Sequence, residues 1–194
     1  MKKIVLLISL LLFAAVNAQD AFVSVDNTPL LNDEGAQFAQ LKITVPVTIL
    51  EEADGQARVR VDGAVAADEL GEAAVVYSNS QDEIVVAESV DPGQVQLGDE
   101  EAGWAEAGLE GWVDAAALTD DREPLFTQAA STYQRYCSRC HVGYAGPVEQ
   151  LIERLKPADW PEVAHRMAMG TGISNADLSL VVHWLQHESQ QHHN

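Results

Sequence analysis

The chain has 194 residues, room for one or two domains, and carries 30 Asp and Glu against 11 Lys and Arg, a formal net charge of −19. Such a field excludes nucleic acid and anionic membrane surfaces as partners and favours encounter with a basic protein surface, the alternative being solubility or adaptation to a salty habitat. The charge is uneven: residues 19–121 hold 23 acidic side chains against Lys42, Arg58 and Arg60, a net of −20, whereas residues 122–194 come to −1.

Residues 1–18 read as an export signal rather than as part of the fold. Lys2 and Lys3 give a basic start, residues 4–15 are a short apolar run, and Val16-Asn17-Ala18 is a small-residue cleavage site. The run is short for a membrane span, with an uncleaved N-terminal anchor as the alternative. No later segment reads as a span, and the expected location is the periplasm. Loss of the two lysines takes the charge of the mature chain to −21.

From residue 19 to 121 the pattern predicts a small all-β domain. Val23 and Val25 alternate as in a strand, and Pro29 with Asn32-Asp33-Glu34-Gly35 marks a turn. Residues 41–50 are dense in β-branched side chains and predict one strand, in which Pro46 demands an edge position or a bulge. Asp54-Gly55 is a hairpin signal leading into the alternating strand at residues 57–61. Residues 75–77 and 84–86 are further strand candidates, and the acidic stretch 97–103 reads as a loop. Two short strands are expected at residues 104–107 and 109–113, across a turn at Gly108. Trp104 and Trp112 are expected in the core, with a peptide-binding surface as the alternative.

At Asp121 the pattern changes, and the domain boundary is placed there. Leu125, Phe126, Ala129, Ala130, Tyr133 and Tyr136 follow helical spacing up to Cys137. Residues 142–147 must be loop, and residues 148–155 a short helix stopped by Pro157. Asp159 and Pro161 open a further helix running towards Met169, and Gly170-Thr171-Gly172 ends it. Ser174 or Asn175 caps the last helix, whose inner face is Leu178, Val181, Val182 and Leu185.

The chemistry lies in Cys137-Ser138-Arg139-Cys140-His141. Cys-x-x-Cys-His reads as a c-type haem attachment site. Two thiols at this spacing can each form a thioether to one vinyl group of the same porphyrin, and the adjacent imidazole becomes the proximal iron ligand. A zinc site needs further ligands, and these two cysteines are the whole complement of the chain. A reactive dithiol would sit near a βαβ pattern, which is not found here. The expected cofactor is one covalently attached haem c.

Gly111-Trp112-Val113 followed by Leu118, with Trp104 before it, resembles the end of a bacterial SH3-like domain. Residues 125–186 resemble the class I monohaem cytochrome c family. The resemblance implies Tyr133 and Trp184 as the aromatics packed near the haem. It also implies a methionine as sixth ligand, from Trp160 through His165-Arg166-Met167 to Gly170. Met167 stands at the matching position and Met169 is the alternative; on a helix the two side chains point about 200° apart. Pro147 would offer its carbonyl to the proximal imidazole, and Arg139 would offset propionate charge. His165 falls on the far side from Met167, His183 is expected at the surface or partly buried, and His187, His192 and His193 in a polar tail.

The fold expected is therefore multidomain: a small SH3-like β-barrel over residues 19–121, then an all-α class I cytochrome c domain over residues 122–194. The layout resembles cytochromes that serve periplasmic molybdenum reductases of the trimethylamine N-oxide type. Function is expected to be single-electron transfer through His141/Met167-ligated iron, without catalysis, to or from a partner oxidoreductase with a basic docking surface. The alternatives are a haem-based sensor or ligand-binding protein, or a peroxidase-like enzyme, both with an open sixth iron position.

Overall fold

The computed structural model describes residues 19–69, 74–141 and 147–193. The export signal of residues 1–18 and most of the loop expected at 142–147 lie outside the described residues. Ten strands run in chain order: β1 (Gln19–Val23), β2 (Thr28–Leu31), β3 (Gln37–Leu41), β4 (Pro46–Ala53), β5 (Gln56–Ala66), β6 (Ala74–Tyr77), β7 (Val85–Val90), β8 (Gln96–Glu101), β9 (Trp104–Asp114) and β10 (Leu118–Thr119).

The two longest strands, β5 and β9, make the spine. They pair antiparallel over their full length, from Gln56 opposite Asp114 to Ala66 opposite Trp104. Each also shares its other edge between two neighbours. Strand β5 pairs β4 through its first half and β6 at Ala64, while β9 pairs β8 through its first half and β2 at Trp112. The circuit β5–β6–β7–β3–β2–β9 closes on itself as a six-stranded barrel, with β4, β1 and β10 added at one edge and β8 at the other.

Alternation along the spine decides what lies inside. Val59, Val61 and Val65 of β5 and Leu109 and Val113 of β9 point inward and are buried, joined by Leu30, Leu41 and Val76. Each such side chain contributes about 1.5–3 kcal/mol relative to exposure. Two glycines permit the close strand approach. A Cβ on Gly63 would stand 2.3 Å from the Tyr77 carbonyl oxygen, and one on Gly111 2.6 Å from that of Leu31. Hairpin turns close at Asp54-Gly55 and Ala102-Gly103, all four residues with positive φ, as the favoured two-residue turn requires.

Several strand expectations need correction. Residues 41–50 are two strands, because the chain turns at Ile43-Thr44, where Thr44 sits at φ 67°. Pro46 opens β4, a position where its missing N–H is tolerated. The acidic stretch at 97–103 is the exposed edge strand β8 and its turn, and β9 runs straight through Gly108. Trp104 and Trp112 lie half-buried on the outward side of β9 rather than in the core: Trp104 meets Tyr77 edge-on, and Trp112 Nε1 donates to Asp33 Oδ1 at 3.0 Å.

Five helices follow: α1 (Glu123–Tyr136), α2 (Ser138–His141), α3 (Val148–Ile152), α4 (Trp160–Ala168) and α5 (Asn175–His193). Pro161 falls in the first turn of α4, but Asp159 does not cap it; that carboxylate instead accepts from Lys156 N at 2.9 Å. Ser174 caps α5 by accepting from Asp177 N. The polar tail expected at His187, His192 and His193 is the last part of α5, and His183 is buried instead of near the surface. Among the described residues, no helix is long and apolar enough to cross a membrane.

The fold class is thus corrected. In place of a small SH3-like barrel, a barrel of six strands is enlarged by four more into one continuous ten-stranded sheet. The all-α class I cytochrome c domain expected over residues 122–194 is not shown; five helices follow the sheet and touch it where Ile43 packs with Ala129 of α1 and Leu180 of α5. The physical reason is strand content: residues 19–23, 46–53 and 96–101 all find ladder partners that a minimal barrel does not have.

Candidate cofactor site

The Cys-x-x-Cys-His segment sits where α1 gives way to α2. Cys137 N donates to Tyr133 O at 2.8 Å and closes the last turn of α1. Cys140 N and His141 N both reach back to Cys137 O, at 3.2 and 3.4 Å. One helical turn therefore carries both thiols and the imidazole. Cys137 is half-buried, Cys140 exposed and His141 buried, and both thiols are free.

Facing them is an apolar cleft built wholly from the helices. Tyr133, Cys137 and His141 form one wall, Leu178, Val181 and Leu185 of α5 another, and Trp160 with Met167 of α4 a third. The apolar period of α5 aims this face inward, and Gln186 and Ser189 of the same helix fix the chain entering α4. Gln186 Nε2 donates to Pro157 O at 3.1 Å, and Ser189 Oγ donates to the carbonyl oxygens of Ile152 and Leu155. Tyr133 stacks obliquely on His141 and on Trp184, at centroid distances of 5.9 and 5.7 Å.

Two observations bear on what the cleft could hold. Tyr133 Oη and Trp160 Nε1 are buried without a hydrogen-bond partner among the described residues. A buried donor left unpaired costs about 1–3 kcal/mol, so both are suited to meet an acceptor brought in from outside, such as a carboxylate. Burial, helped by the negative charges of Cys137 and Glu149, pushes the Tyr133 phenol well above its ordinary value and keeps it a donor. Burial, then the charge of Cys140, likewise raises the Cys137 thiol. A raised thiol is a poor nucleophile and speaks against a reactive dithiol.

The donor set, the apolar walls and the unpaired donors fit a haem held through Cys137, Cys140 and His141. The volume does not: the cleft narrows to about 20 Å³, whereas sites for ligands of drug size span about 300–1,000 Å³. Seating a porphyrin requires these walls to stand further apart than they do here.

Of the two candidate sulfurs, Met167 lines the cleft at its rim and is 42% exposed, while Met169, beyond the end of α4, is 75% exposed and lines none of it. His165 bonds Pro161 O at 2.7 Å and lines a different cavity, between α5 and the sheet. The Pro147 carbonyl accepts from Gln150 N at 3.2 Å in the first turn of α3, and the side chain of Arg139 lies outside the described residues. The sequence reading passed over Trp160 as a donor; its place two residues before Glu162, at the head of an amphipathic helix, is the signal that was there. It also passed over the burial of His183, for which the alternation of polar and apolar residues in α5 gives no sign.

Among the described residues, no three His, Cys, Asp or Glu side chains gather closely enough to hold a metal ion. The chain matches no family model, no curated protein and no solved structure. The resemblance to class I cytochrome c, to bacterial SH3-like domains and to the cytochromes of periplasmic molybdenum reductases is therefore corrected. It rests on short motifs that no family match supports, and the barrel is larger than the SH3-like pattern.

Proposed function

We propose that the protein is an exported one-electron carrier in which Cys137 and Cys140 would hold a single haem c covalently and His141 and Met167 would ligate its iron. The observation that carries this reading is the convergence of Cys137, His141 and Met167 on one apolar cleft whose buried donors, Tyr133 Oη and Trp160 Nε1, have no partner among the described residues. A haem so held would supply reversible Fe(III)/Fe(II) exchange. The chain's own part is to exclude water and to hold the ring in place. Leu178, Val181 and Leu185 keep the cleft apolar, and Tyr133 and Trp160 are placed to donate to propionate oxygens. The periplasm is the proposed compartment, and a basic oxidoreductase the proposed partner of the acidic barrel.

Absorption of the purified exported protein tests this. Haem colour that survives denaturation, together with a methionine–iron band in the oxidised spectrum, is expected. That band is lost in Met167→Ala and kept in Met169→Ala. A colourless protein overturns the reading. The exposure of Met167 favours a second reading, in which the sixth position opens and the protein senses a small ligand. Ready uptake of carbon monoxide by the ferrous form, without denaturant, selects it.

A further inference from the structure

Helix α5 has two faces of opposite character, the second buried at His183 and Gln186, half-buried at Ser179 and exposed at Asn175. One is apolar and lines the cleft described above. The other turns Asn175, Ser179, His183 and Gln186 towards the sheet, across a cavity of about 470 Å³ whose far wall includes Asp26, Lys42 and Glu88. His183 also borders a second cavity of about 210 Å³, with Thr44, Arg122 and His187. This seam between sheet and helices is thinly packed. Its apolar contact is Ile43 with Ala129 and Leu180, and its remaining ties include Gln190 Nε2 donating to Asp82 Oδ2 at 2.8 Å and Arg122 over the Phe22 ring.

At the middle stands His183, 8% exposed, its imidazole without a hydrogen bond among the described residues. Beside it the sheet contributes Thr44 at φ 67°, a strained backbone for a β-branched residue. Buried polar groups facing roomy cavities across a strained turn describe a contact that closes without locking.

We propose that this seam is an acid-sensitive latch: neutral His183 lets the helices lie against the sheet, and protonation of its imidazole releases them. The reading is independent of the haem. The groups facing His183 decide its response. Asp26, from the β1–β2 turn, favours the charged ring, whereas Lys42, beyond β3, opposes it; Lys42 itself pairs with Glu88 of β7 at 2.7 Å. His165 faces the first cavity from α4, and Arg122 and His187 the second. Burial dominates, holding His183 at about 4 instead of 6.5. A ring freed into water titrates near 6.5. Above that pH both forms are neutral and the latch is indifferent to pH. As pH falls from about 6.5 towards 4 only the open form gains the proton, so the open-to-closed ratio rises by about two orders of magnitude before levelling.

Small-angle scattering with far-ultraviolet circular dichroism on the full chain, from pH 7.5 to 4, tests it. The radius of gyration is expected to grow towards pH 4 while the dichroism holds, since sheet and helices stay folded about the connection at 119–123. His183→Gln stays compact throughout. Asp26→Asn, which removes the acid that offsets the imidazolium but keeps an acceptor for Ile43 N, opens up to about twofold further than the wild type at pH 4 and carries the test should His183→Gln fail to fold. Three outcomes overturn the proposal: a wild type compact at pH 4, expansion with loss of dichroism, or the same curve in His183→Gln.

Discussion

The two halves of this molecule bury their residues in different ways. In the barrel, Val59, Val61, Leu109 and Val113 interlock from a spine of two long strands, and one apolar cluster runs through the whole sheet. In the helices the apolar contacts fall into separate small clusters, with His183, Gln186 and Ser189 buried beside them. The barrel is organised around a single apolar core, whereas the helical half is organised around a cleft.

The sharpest way to break that division is to remove the thiols. Cys137→Ser together with Cys140→Ser is expected to abolish covalently held haem altogether, read as absorbance remaining after denaturation, while strand dichroism stays at the wild-type level. Loss of the barrel signal as well would mean that the halves fold as one. Next in size is truncation inside the barrel. Leu109→Ala, at a fully buried position, should cost about 3 kcal/mol in urea unfolding, with no change in the haem spectrum. The smallest effect sharpens the local logic. Ala102 holds φ 53° in the β8–β9 turn, a conformation that costs a non-glycine residue about 1 kcal/mol. Ala102→Asn, which creates an Asn-Gly turn, should raise the barrel's stability by several tenths of a kcal/mol up to about 1.

What could be read from the sequence was what is local. Asp54-Gly55 names its own hairpin, the helical spacing of α1 survives in the structure, and the attachment motif needs only one turn of helix to bring its three groups together. What could not be read depends on partners distant in the chain. Residues 41–50 look like one strand, because nothing near Thr44 announces a positive φ; the turn is held by Thr44 N donating to Val23 O and by Asp26 accepting from Ile43 N. Residues 96–101 look like an acidic loop, because an edge strand has no buried face to give it period. His183 looks like a surface residue, because only the sheet packed against α5 takes it out of water. Met167 was distinguishable from Met169 by helical phase, but its exposure at the rim was not.

The lopsided charge has a consequence for how the molecule meets others. With −20 gathered in residues 19–121 and −1 beyond, the protein is a strong permanent dipole, and a basic surface would pull it round barrel first. The cleft, lined entirely from the helical end, would then trail the approach. Long-range attraction is screened by ions, so added salt should slow capture by such a partner.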